Sequence, residues 1–161
     1  MKILAVDPAL STSGFAVLEF DEKNKKIYLR EAGLVKTTSK NSLPDRLRKI
    51  YEKFKEIIDK YKPEILLLEK FYTHLRHPLT VAMLSKAKGI LMLLASQNNI
   101  EVLELSTTHV KKALTGKGNA KKYQIKRMVE FFLKKKISSQ HISDALALAL
   151  AYLNMKKCFV G

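Results

Sequence analysis

The chain of 161 residues has no tryptophan, one cysteine, four prolines and six glycines, and only 15 Asp and Glu against 30 Lys and Arg. Each shortage excludes something. A single thiol, Cys158, closes no internal disulfide, so a secreted disulfide scaffold is ruled out and a reducing cytoplasm is expected. No cysteine–histidine spacing suits zinc. Unbroken apolar runs are short. The nearest to the ~18 residues of a bilayer span, His141 to Leu153, is interrupted by Ser143 and Asp144, so no membrane partner is expected. Met1 leads directly into a strand-like run, and no signal peptide is read. With no repeat, biased segment or linker, residues 1–161 read as one domain, long enough to hide roughly two-thirds of its unfolded surface. The shortage of acid leaves a net charge of +15 and a pI of about 9.9. Lysine-rich surfaces occur in thermophile proteins for other reasons. A balance this one-sided points instead to a polyanionic partner.

What is present reads as strands followed by alternating strands and helices. Lys2–Val6 is an apolar strand, Pro8–Gly14 a turn, and Phe15–Phe20 and Ile27–Val35 two further strands around a polar turn at Asp21–Lys26. This is the pattern of an antiparallel meander. Ser42 and Pro44 open a helix whose apolar residues, Leu47 through Tyr61, recur at three- and four-residue steps until Pro63. A buried strand, Glu64–Leu68, precedes a helix over Leu79–Ser96 with Val81, Leu84, Ala87, Ile90, Leu91 and Leu94 inward. Ile100–Leu105 is the fifth strand. Thr107 or Thr108 is expected to cap a short helix ending near Leu114, and helices over Ala120–Lys135 and His141–Tyr152 finish the chain. The fold class is α/β, a five-stranded mixed sheet flanked by helices.

The few acids stand at telling places. Asp7 ends the first apolar strand and Glu69 ends the fourth. Read alone, Asp7 is also a common strand-ending turn residue. A carboxylate at the end of a buried strand needs a cation or another strong partner, and Lys70 points to the opposite face. His141 and Asp144 are three apart and share a face if helical. Otherwise Ser143 or Asp144 caps the last helix and His141 lies in a loop. Taken together, Asp7, Glu69, His141 and Asp144 are four candidate ligands on three core elements. Oxygen-rich ligands of this kind suit Mg²⁺ or Mn²⁺. Acidic metal ligands within a basic chain suggest metal-assisted cleavage of nucleic acid.

The basic residues cluster around two glycines, from Lys111 and Lys112 through Gly116, Lys117 and Gly118 to Lys121 and Lys122. Glycines let backbone N–H groups approach phosphate and lysines supply charge. The Gly-Lys-Ser/Thr ending of a nucleotide-binding loop is missing, and a solvated basic loop is the plainer alternative. Phe71 and Tyr72 follow Glu69 and precede a polar stretch with Arg76. They are either core plugs or rings that stack on unpaired bases.

These pieces fall in a familiar order. Ile3–Pro8, Leu43-Pro44 with Arg46-Leu47 and Ile50-Tyr51, Leu68-Glu69 followed by an aromatic, Ala87-Lys88-Gly89, Val110-Lys111 with Gly116, Gly118, Ala120, Lys122 and Gln124, and Asp144–Ala149 together resemble the RuvC family of Holliday-junction resolvases over nearly the whole chain. The resemblance implies an RNase H-like fold, a homodimer, and a structure-selective endonuclease that nicks two opposed strands of a four-way DNA junction. It implies two Mg²⁺ per active site, with Mn²⁺ able to substitute, held by Asp7, Glu69, His141 and Asp144. Tyr72 stands at the spacing of the family's junction-facing aromatic, and Lys111 and Lys122 match basic residues near the scissile strand. A RuvA–RuvB branch-migration complex is a further partner the resemblance suggests. Ala9 replaces a usual glycine, His141 an aspartate found in many members, and Ser85–Gly89 a more usual Gly-Gln-Ala-Arg-Gly. Two rivals remain at this stage: a non-catalytic junction-binding protein and an RNase H-like nuclease acting on RNA.

Overall fold

Three antiparallel strands open the chain, β1 (Lys2–Asp7), β2 (Thr12–Asp21) and β3 (Lys26–Lys36). After them come α1 (Leu43–Tyr61), β4 (Ile65–Glu69), α2 (Pro78–Gln97), β5 (Glu101–Leu105), α3 (Thr107–Thr115), α4 (Lys122–Leu133) and α5 (Gln140–Met155). The structure is a computed structural model that describes residues 1–70 and 78–156. Phe71, Tyr72 and Arg76 therefore lie outside the described residues. The strands form one sheet in the order β3-β2-β1-β4-β5. β1 pairs antiparallel with β2 and parallel with β4, and β4 pairs parallel with β5. The mixed sheet flanked by helices is the expected architecture.

Strand alternation sorts the core into two layers. Ile3, Ala5, Ile65 and Leu67 face α5, with α3 and α4 beyond it. Leu4, Val6, Leu66 and Leu68 face α1 and α2. Both faces of β1 and β4 are covered, which is why these strands are written as unbroken apolar runs. The same alternation carries Asp7 and Glu69 to the α5 side, at the C-terminal ends of adjacent parallel strands. Open α/β sheets place their sites at such ends.

The helix starts differ in detail from the sequence reading. Ser42 caps α1 as expected, accepting from the Asp45 N–H at 3.3 Å. The cap of α3 is Ser106, which accepts from the His109 N–H at 3.2 Å, rather than Thr107 or Thr108. α4 starts at Lys122, after Lys121 donates its N–H to Gln124 Oε1 at 2.8 Å. Ser139, not Ser143 or Asp144, caps α5, so His141 lies within the first turn. α2 carries a window, Leu79–Gln97, long and apolar enough by composition to cross a membrane. Here its Ala87, Leu91, Leu94 and Ala95 are buried against the sheet and α1, so that face belongs to the protein core.

Candidate active site

Asp7 and Glu69 are brought side by side by the β1–β4 pairing, whose register ends at Val6↔Leu68. α5 delivers His141 and Asp144 from above. The close approach is possible because the residue paired with Asp7 across β2 is Gly14. A Cβ there would stand 2.1 Å from the His141 carbonyl oxygen. The loop after Asp7 is tied down by the buried Ser13. Its hydroxyl accepts from the Ala9 N–H at 2.9 Å and donates to the Ala9 carbonyl at 2.6 Å. Ala9, where the resemblance has a usual glycine, thus has both its backbone N–H and its carbonyl bonded to Ser13.

Three of the four groups, Asp7, Glu69 and Asp144, border one cleft of about 130 Å³. Asp7, Glu69, Asp144, Thr107, Lys111 and Lys122 line it above a floor of Val110, Ile125, Ala147 and Leu148. His141 joins through Asp7, with Nδ1 2.8 Å from Asp7 Oδ2. An ionised carboxylate only accepts, so towards an ionised Asp7 the His141 Nδ1–H is the donor. Asp7 is raised above the usual carboxylate range, first by burial and then by the charges of Asp144 and Glu69; the His141 hydrogen bond opposes the shift. The site gathers three carboxylates, with Asp7 largely buried among them.

The other two carboxylates have partners the sequence reading missed. Thr107 Oγ1 donates to Glu69 Oε1. Gln140 Nε2 donates to Asp144 Oδ1 at 2.7 Å, and Lys122 Nζ lies 3.5 Å from Asp144 Oδ2. Gln140 was within reach of sequence reasoning, since it sits one turn before Asp144. Thr107 was not, because its position follows from the Glu69↔Leu105 register of β4 and β5. As they stand, no three His, Asp, Glu or Cys side chains among the described residues close on a single point as an ion cage would require. Of the basic residues, Lys111 and Lys122 line the cleft. Lys112, Lys117 and Lys121 are exposed on the elements next to it.

Comparison with known proteins matches the model of the family "Crossover junction endodeoxyribonuclease RuvC" over residues 3–152. The crossover junction endodeoxyribonuclease RuvC of Ehrlichia chaffeensis is 38% identical over 160 residues, covering 99% of this chain and all of that protein. The solved structure of Thermus thermophilus RuvC superposes with a TM-score of 0.88 at 25% identity, covering 98% of this chain and 96% of that one. The same enzyme in complex with a Holliday junction substrate has the same fold, with a TM-score of 0.86. Fold and relatives agree, and the chain belongs to the RuvC family of crossover junction endodeoxyribonucleases.

Proposed function

We propose that this protein resolves four-way DNA junctions by paired symmetric nicks, hydrolysing one phosphodiester in each of two opposed strands and leaving 5′-phosphates. The observation that carries this reading is the convergence of Asp7, Glu69 and Asp144 on one cleft that Lys111 and Lys122 also line. The lysines attract a DNA backbone. The carboxylates repel it unless a cation stands between.

The donor set fits divalent ions. Three carboxylates and one imidazole suit Mg²⁺, with Mn²⁺ able to substitute. Burial, with the Asp144 and Glu69 charges behind it, raises the proton affinity of Asp7 in spite of the His141 hydrogen bond, so its charge is undercompensated. Asp7, Glu69, Asp144 and His141 are the residues that would hold two ions. When bound, such ions supply a water activated for attack and neutralise charge on the departing 3′-oxygen. The protein's own groups do the rest. Asp7 holds the His141 ring through Nδ1. The other ring nitrogen would ligate an ion or orient the attacking water. Thr107 and Gln140 hold Glu69 and Asp144 in readiness, and Lys111 and Lys122 draw the scissile phosphate down.

A homodimer fits the same reading, because a two-fold enzyme matches a two-fold substrate. The face of α2 turned away from the core exposes Leu79 (80%), Met83 (40%) and Leu93 (50%). Between them Gly89 has nothing within 4 Å of an added Cβ. A mid-helix glycine costs about 1 kcal/mol relative to alanine. Nothing among the described residues requires this one, whereas a closely approaching second helix would. The deciding experiment is cleavage with Mg²⁺ of a four-way junction, a linear duplex and an RNA–DNA hybrid. Junction nicking with the others spared is the expected result. Binding without cleavage, or preferred cutting of the hybrid, would overturn the proposal.

A further inference from the structure

Glu69 is held from both sides of the sheet, and the second hold comes from outside the cleft. The Glu69 carbonyl oxygen accepts from Lys88 Nζ at 3.1 Å. Lys88 belongs to α2, on the face of the sheet opposite α5. Its side chain is only 11% exposed, and its ammonium pairs with Glu104 of β5. Alternation along β5 turns Leu103 and Leu105 toward the α5 layer and Glu104 toward α2. The lysine therefore reaches the end of the sheet from behind the site. A third contact fixes the same peptide, since the Lys70 N–H donates to the Leu105 carbonyl at 2.9 Å.

A shielded ion pair is a poor way to gain stability, because desolvation offsets most of the Coulombic gain. What this pair does supply is direction. Lys88 receives its counter-ion from β5 and spends a donor on the last carbonyl of β4. Beyond that carbonyl the chain leaves the sheet. Resting on the site reading above, we propose that Lys88, seated by Glu104, is a positioning residue for junction cleavage. It orients the Glu69–Lys70 peptide so that the Glu69 carboxylate enters the cleft beside Asp7. It touches neither substrate nor the reacting atoms and acts only through Glu69.

The test compares Lys88→Met, Lys88→Arg, the double variant Lys88→Met/Glu104→Gln, and Glu69→Gln in the full chain. The double variant removes both charges, so it avoids stranding Glu104 and keeps the experiment readable if Lys88→Met folds poorly. Three quantities are measured: single-turnover nicking of a four-way junction, junction Kd without divalent ions, and amide exchange at Lys70 and at Leu66–Leu68. Lys88→Met and the double variant should nick about 10- to 100-fold more slowly, the usual loss on removing an outer-shell partner of a ligand. Their junction Kd should stay within about twofold of wild type, because binding rests on the cleft lysines. Exchange at Lys70 should speed up while Leu66–Leu68 stay protected. Lys88→Arg keeps a donor and should restore most of the rate. A folded double variant that nicks at the wild-type rate, or Lys70 exchange unchanged in it, overturns the inference. If Glu69→Gln itself nicks normally, the site reading fails instead, and the two failures are distinct.

Discussion

Two carboxylates of this protein live under opposite conditions. Glu31, on β3, accepts from Lys60 Nζ at 2.8 Å and from the Tyr61 hydroxyl at 2.7 Å. These bonds hold its proton affinity below the ordinary glutamate value. Among the described residues Asp7 has one partner, His141, and two like charges nearby. Burial keeps its proton affinity high in spite of the imidazole. Glu31 is a satisfied surface anion that ties α1 to the sheet. Asp7 is an anion kept short of positive charge. Where a fold leaves a carboxylate undercompensated among others, that charge is available to a ligand, and perturbed groups cluster at functional sites for this reason.

Removing the undercompensated group should separate function from stability most widely. Asp7→Asn should reduce nicking by more than the roughly 100-fold that loss of an outer partner costs, with junction binding retained. Without divalent ions the same variant should melt at a higher temperature than wild type. The sign follows from linkage. Above the ordinary value of 3.8 and up to the raised folded value, the folded state binds more protons than the unfolded one. This carboxylate therefore lowers stability as pH rises through that window, and the loss persists above it. Calorimetry on metal-free protein checks it, and a lower melting temperature for Asp7→Asn would contradict the account of its environment.

Changing the partner rather than the acid gives a smaller, graded effect. His141→Asp should keep substantial Mg²⁺-dependent nicking because a carboxylate can replace imidazole at such a site. His141→Ala should lose far more. Equal rates for the two variants, measured side by side, would leave the imidazole with no part in the chemistry.

The positive side of the cleft is tested by salt. Lys111→Ala and Lys122→Ala should each weaken junction binding and flatten the slope of log K against log [salt] by about one unit. An unchanged slope in fluorescence titrations would make them mere surface charge.

The smallest change is expected at the satisfied anion. Glu31→Gln should leave nicking unaltered and cost at most about 1 kcal/mol, since exposed ion pairs are screened. Because the Glu31 proton affinity is lowered, its contribution is present above pH 4.5 and is lost as pH falls through the lowered folded value. Urea melts at neutral and acidic pH should therefore differ from wild type only at neutral pH.

Much of this was legible in one dimension. Apolar runs ending in Asp7 and Glu69 announced two buried strands with a carboxylate at each end, because local burial alone produces that pattern. The four-residue steps after Ser42 marked α1 and its cap. The α3 cap was misplaced because Ser106, Thr107 and Thr108 are all competent caps, and only the path of β5 into the helix selects the first. Thr107 and Lys88 were invisible as partners of Glu69 for a stronger reason. Their contacts join residues 38 and 19 positions apart and depend on which strands lie side by side.

By itself, then, the sequence determined the elements, the polyanion-seeking charge and the identity of the acids, since propensity, periodicity and ionisation are properties of residues and their near neighbours. The strand order β3-β2-β1-β4-β5 was decided by tertiary structure. So were the β1–β4 register that sets Asp7 beside Glu69, the contact of α5 with Gly14 that lowers His141 onto Asp7, and the raised proton affinity that results. Register and burial are collective quantities. A slip of one residue would turn every side chain of β4 to the other face and carry Glu69 out of the cleft with its composition unchanged.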